Sequence, residues 1–289
     1  MAGIDLGTLV ANIVVNGSDA IKDMRNFGQE ADSAEAKTGT LLGGLKKLAA
    51  GFAIGVAIKE TTDGLKYCAE RANELHQSYN TLQTQTGATD EEMSELEQTL
   101  KNIYSNNYGN DFEDIATSLA EVKNQTHLTG EALQSTTENA IVLRDTFGFE
   151  VTESTRTADM MMKQFGLTAD ESFNLIAQGA QNGLDKNGNL LDSINEYSVH
   201  FKQLGLDAED MFNMFSNGAE SGVFDIDKLG DAVKEFGIRA KDGSDTTSQA
   251  FELLGLNADE MQQRFASGGE TAKTAFNEVV MLLLIVIVK

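Results

Sequence analysis

Apolar positions recur along most of this chain in steps of three and four, the spacing of one helix face. The clearest run is Ile54, Ile58, Thr61, Leu65, Cys68, Ala72, Leu75, Tyr79 and Leu82. Alternating fours and threes over about four heptads predict either a coiled-coil seam or one amphipathic helix on a globular core. On both readings Ile58, Leu65, Cys68, Ala72, Leu75, Tyr79 and Leu82 form a helix–helix interaction seam rather than a catalytic surface. Only residues 8–15 (TLVANIVV) alternate in twos, which predicts one short N-terminal strand. From Ser18 the pattern turns helical.

Beyond Gly87 the pattern predicts successive helices. Thr89-Asp90-Glu91-Glu92 reads as a capping box ahead of Met93, Leu96, Leu100 and Ile103. Asp111 starts another helix, with Phe112, Ile115, Leu119 and Val122 on one stripe, and a third runs from about Thr129 to Phe147. Residues 190–199 predict an amphipathic helix with Leu191, Ile194 and Tyr197 or Ser198 inward.

Five apolar-Gly-apolar triplets predict helix stops, at Phe147-Gly148-Phe149, Phe165-Gly166-Leu167, Leu204-Gly205-Leu206, Phe236-Gly237-Ile238 and Leu254-Gly255-Leu256. Glycine just past a helix end takes the left-handed conformation at no steric cost. Three restart caps follow: Thr168 with Glu171, Asp207 with Asp210, and Asn257 with Glu260. Phe147 and Phe236 lie 89 residues apart, as do Phe165 and Leu254, which marks an internal repeat.

In that register the mixed segment 190–199 falls on 279–288 (VVMLLLIVIV), after which the sequence stops at Lys289. The mismatch leads us to expect a truncated or frame-shifted product. The pattern divides the chain into an N-terminal segment (1–47), an apolar, coiled-coil-like helix (48–86) and a core of helical repeats (87–289), with units from 147 and 236 and the second incomplete. The class expected is all-α, multi-helix, with glycine turns.

Composition supports helices. The 289 residues contain no proline, where average usage would give roughly fourteen. With 45 acidic and 22 basic residues the formal charge is −23, which disfavours nonspecific attachment to nucleic acid or anionic lipid. The lone Cys68 suits a reducing compartment. No basic stretch precedes the first apolar run, so no secretory signal is read.

Chemistry is sparse. Gly39–Lys47 lacks the Gly-Lys-Ser/Thr order that holds nucleotide phosphates. His76, His127 and His200 have no local metal-ligand partners. Asp185-Lys186-Asn187-Gly188-Asn189 misplaces its glycine for a calcium loop, and the paired carboxylates Asp225 and Asp227 read as helix caps. No catalytic, cofactor or metal site is expected. Two apolar stretches, Leu48–Ile58 and Val279–Val288, are shorter than the ~20 residues of a membrane span.

Three strings carry a family resemblance: 132–167 (ALQSTTENAIVLRDTFGFEVTESTRTADMMMKQFGL), 178–206 (QGAQNGLDKNGNLLDSINEYSVHFKQLGL) and 215–243 (FSNGAESGVFDIDKLGDAVKEFGIRAKDG). They resemble the core region of the tail tape measure proteins of long-tailed phages and of prophages of Gram-positive bacteria. The resemblance spans roughly residues 80–280, strongest from 130 to 265; residues 1–80 are only generically similar. It implies a non-enzymatic ruler and scaffold for tail tube assembly, with a role in genome ejection. The implied partners are tail tube subunits, tail assembly chaperones and tail-tip initiator proteins, with self-association through helices and no specific nucleic-acid site. The implied location is the tube lumen of the virion tail, and the host cytoplasm during assembly. Tape measures are usually several times longer; as one helix this chain would reach only about 430 Å. The alternative reading is a membrane-active helical protein that inserts its two apolar segments, in transient contact with the membrane.

Overall fold

The computed structural model describes residues 71, 73–223 and 225–287. The expected strand at 8–15, the run 48–58 and the seam positions Ile58, Leu65, Cys68 and Ala72 lie outside the described residues. Among the described residues every regular element is a helix. They are α1 (residues 73–86), α2 (Asp90–Ser105), α3 (Phe112–Thr126), α4 (Gly130–Phe147), α5 (Val151–Phe165) and α6 (Ala169–Gln181). There follow α7 (Leu190–Gln203), α8 (Ala208–Glu220), α9 (Ile226–Arg239), α10 (Asp245–Leu253), α11 (Ala258–Ser267) and α12 (Gly269–Ile287). The chain forms two compact units, Met1–Ala120 and Glu121–Lys289.

In the first unit, α2 starts at the capping box read from the sequence. The Thr89 hydroxyl accepts from Glu92 N, and the Glu92 carboxylate accepts from Thr89 N at 2.8 Å. Met93, Leu96, Leu100 and Ile103 form its buried stripe, and Phe112, Ile115 and Leu119 bury the matching stripe of α3. Thr81 of α1 donates to Glu113 of α3 at 2.8 Å.

The second unit is built on parallel helices linked by antiparallel ones. Arg156–Asp192 (3.6 Å) and Asn195–Thr157 (2.7 Å) set α5 beside α7. Asn189–Asp225, Tyr197–Asp227 and Lys234–Glu196 set α7 beside α9 in the same direction. The buried face of α7 carries Leu190, Leu191, Ile194, Tyr197, Ser198 and Phe201, so both Tyr197 and Ser198 point inward.

Four of the five expected glycine stops are real. Gly148, Gly166, Gly205 and Gly255 take φ between 75° and 78°. At Gly205 and Gly255 the turn is a full Schellman motif: Leu206 N bonds Phe201 O and Gly205 N bonds Lys202 O, with Leu256–Phe251 and Gly255–Glu252 as counterparts. Gly237 departs from the expectation. α9 continues through it to Arg239, and Gly237 lies buried near Leu204, the residue that caps the end of α7. At that position glycine neither ends the helix nor admits a close approach, since an added Cβ would meet Leu204 at 3.6 Å, ordinary contact.

The structure also displays a shorter period than 89. Gly166-Leu167-Thr168 and Gly205-Leu206-Asp207 stand 39 residues apart, each leading through a capping box into a 13-residue helix, α6 or α8. Gly179 and Gly218 follow at the same offset and face Leu190 and Leu229, also 39 apart. Both helices end alike, with Leu184 N bonded to Gly179 O and Val223 N to Gly218 O. A helix pair of about 39 residues is therefore the structural unit, buried by its neighbours.

Candidate interaction surfaces

The described end of the heptad seam is α1. Leu75, Tyr79 and Leu82 are all buried within the chain, and Lys101 of α2 lies 5.5 Å above the Tyr79 ring. Burial, reinforced by the Glu97 carboxylate, holds the Tyr79 phenol well above its ordinary range. It is a packing residue, not an acid or base.

The residue types that suggested chemistry are occupied structurally. Asp185 accepts from Leu190 N at 2.9 Å and closes the loop into α7. Asp225 caps α9 by accepting from Asp227 N, and takes the Asn189 amide at 2.6 Å. That amide bond above all holds the Asp225 carboxyl below the usual range. Asp227 accepts the Tyr197 hydroxyl at 2.8 Å. The two carboxylates thus tie Asn189, at the N-cap of α7, and Tyr197, within that helix, to the start of α9. His200 is half-buried; burial, then the nearby Lys234 ammonium, lowers its pKa. No group of His, Cys, Asp and Glu among the described residues is arranged to hold a metal ion. A shallow cleft of about 190 Å³ lies between α6 and α8, floored by Gly179 and Phe212. It is smaller than a typical small-molecule site.

Close helix approach is the chief geometric specialisation. A Cβ built on Gly230 of α9 would sit 2.0 Å from Cδ2 of Tyr197, and one on Gly218 would sit 2.3 Å from Leu229 Cδ1. Gly205 makes an equally tight joint, but against backbone: its Cβ would fall 2.0 Å from the carbonyl oxygen of Gly269 at the start of α12. Beside that joint Lys273 donates to both carboxylates of the α8 capping box, Asp210 and Asp207. Sequence reading missed these approaches, because a helical glycine carries no signal of which neighbour it admits.

The surface has one strongly apolar stretch. At the end of α12, Val280, Met281, Leu283, Leu284 and Ile285 are exposed, while Ala272, Ala275 and Val279 face inward. No described helix is long and apolar enough to cross a membrane.

Residues 98–281 match the family described as "Phage-related minor tail protein". Over 149 residues the chain is 42% identical to the "Probable tape measure protein" of Streptomyces phage phiC31. That alignment covers 52% of this chain and 20% of the relative, so the chain matches about a fifth of the relative's length. No solved structure matches.

Proposed function

The chain belongs to the phage-related minor tail protein family, and from that premise we propose that it is a tape measure-type component that scaffolds the tail tube and sets its length. The observation that carries the reading is the 42% identity to a protein named as a probable tape measure. The fold suits the role. A chain without proline, whose described helices are joined by linkers of eight residues or fewer, has no residue that bars re-forming as longer continuous helix. A continuous helix converts residue number to distance at ~1.5 Å each. The compact helix pairs described above then represent the protein before it is threaded into a tube.

On this reading the protein acts by assembly, not catalysis. Its partners are the tube subunits that polymerise around it, the chaperones that keep it soluble, and the tip initiator that anchors one end. Its seat is the tube lumen, after assembly in the host cytoplasm, and it leaves the tube during genome ejection. The seam Ile58, Leu65, Cys68, Ala72, Leu75, Tyr79 and Leu82 serves helix–helix packing, and its members Leu75, Tyr79 and Leu82 turn inward within the chain. Quantitative mass spectrometry of purified virions and separated tails tests the location. The chain is expected in the tail fraction in a fixed ratio to the tube subunit. Its absence from tails would sink the proposal.

A further inference from the structure

The buried faces of the second unit change character along the chain. In α4, α5 and α6 six of the buried side chains are hydroxyls: Thr136, Thr137, Ser154, Thr155, Thr157 and Ser172. α7 adds Ser193 and Ser198. Beyond Ser198 no polar side chain is buried among the described residues. Phe201, Phe215, Phe251 and Phe265 fill that part instead, and Phe236 meets both Phe265 and Phe276 edge-on with centroids 5.4 Å apart. The hydroxyls hold little together. Thr137 donates to Leu133 O, Ser154 to Val151 O, Thr157 to Glu153 O and Ser172 to Thr168 O, each a carbonyl three or four residues back. Such bonds satisfy the hydroxyl without tying one helix to another. The hydroxyls of Thr136 and Thr155, residues no more than 2% exposed, have no hydrogen-bond partner. An unpaired buried hydroxyl costs the folded state its lost hydration, and opening to water restores that hydration.

We infer that the second unit opens in a fixed order, α4–α6 coming away from α7 as a group while α7–α12 stay folded. The polar ties divide the unit at the same place. Ser135 and Asn139 of α4 both donate to Asp170, in the first turn of α6, at 2.8 Å, which keeps those helices together. Between α5 and α7 the ties are Asn195 to Thr157 and the exposed Arg156–Asp192 pair at 3.6 Å. α7 holds α9 more closely, through Tyr197–Asp227, Asn189–Asp225 and Lys234–Glu196, all at 2.9 Å or less. The group with the weaker core and the looser ties is the one that opens below the global transition. The order of opening stands without the tape-measure reading. Only its use, to let a compact chain begin to extend from α4, rests on that reading.

Hydrogen–deuterium exchange of the whole native chain, read by mass spectrometry and corrected for intrinsic rates, tests the order. Amides of α5 are expected to exchange at least about tenfold faster than those of α9. Thr155→Val replaces the unpaired hydroxyl with a methyl of nearly the same shape. It is expected to slow exchange in α4–α6 about tenfold and to leave α9 unchanged. Thr136→Val is expected to act in the same direction, and takes its place where Thr155→Val alters the circular dichroism spectrum. Thr157→Val loses the bonds to Glu153 and Asn195 and is expected to speed exchange of the same amides. Exchange in α5 as slow as in α9 would overturn the inference, because the two flanks of α7 would then open together. So would equal slowing of α9 and α4–α6 in Thr155→Val, or no slowing in either Thr155→Val or Thr136→Val.

Discussion

Replacing Gly230 by alanine sets two effects of opposite sign against each other. Alanine gains about 1 kcal/mol in a helix interior relative to glycine. Its Cβ, however, would sit 2.0 Å from Cδ2 and 2.5 Å from Cε2 of Tyr197, a ring only 3% exposed. The ring must move by more than 1 Å to reach ordinary contact, and overpacking of this kind typically costs about 1–3 kcal/mol. It cannot move freely, because its hydroxyl donates to Asp227 at 2.8 Å. Weakening that bond to a half-exposed carboxylate adds about 1 kcal/mol. The costs outweigh the gain, so Gly230→Ala is expected to destabilise by about 2 kcal/mol. Gly237→Ala is the internal control: on the same helix its Cβ would meet Leu204 at 3.6 Å, ordinary contact. It is expected to stabilise by about 0.5–1 kcal/mol. Urea unfolding followed by far-UV circular dichroism reads both. A neutral or stabilised Gly230→Ala refutes the close packing of α9 on α7. A destabilised Gly237→Ala would restore the reading of Gly237 as a helix stop.

Gly205→Ala combines a φ of +75° with a Cβ 2.0 Å from a backbone oxygen, which cannot swing aside as a side chain can. Its thermal unfolding should report a loss of about 3 kcal/mol or more, against about 1 kcal/mol for Gly148→Ala, where φ is +78° but space is open. Thr168→Ala removes the hydroxyl half of the capping box and should cost about 1 kcal/mol by urea titration. Lys273→Met should lower stability at neutral pH by about 1 kcal/mol, discounted for the exposure of Asp207. Burial tends to raise the Asp207 carboxyl, but the Asp210 backbone bond and the Lys273 ammonium more than offset it, leaving it below its ordinary value. Stability from a depressed carboxylate is present above its unfolded pKa and lost as pH falls through the folded one. The acid limb of a stability–pH curve, below about pH 4, should therefore be shallower in Lys273→Met; an unchanged limb would mean that the pair contributes nothing.

The elements were legible wherever a local signal forces them. The Thr89 and Thr168 capping boxes, the stripe from Met93 to Ile103, and the left-handed glycines at 148, 166, 205 and 255 could all be placed from residue types and spacing. Gly237 could not. The same triplet pattern ends a helix at Gly205 and runs through one at Gly237, so the three residues themselves do not decide the outcome. The 39-residue period was written in Gln178-Gly-Ala-Gln-Asn-Gly-Leu184 and Asn217-Gly-Ala-Glu-Ser-Gly-Val223. It was masked because the outward-facing residues differ, while the glycines facing Leu190 and Leu229 recur. The interaction surfaces were the least legible part. Lys273 reaches a capping box 63 residues away, and no periodicity encodes that distance.

The length of the tail tube, measured by electron microscopy on phage carrying an in-frame deletion of residues 169–207, tests the central claim most directly. That deletion removes one 39-residue period and rejoins two equivalent glycine turns, so the remaining helix pairs keep their register. A ruler that acts as extended helix should shorten the tail by about 58 Å, and duplication of the same segment should lengthen it equally. Tails of unchanged length in both phages would contradict the account.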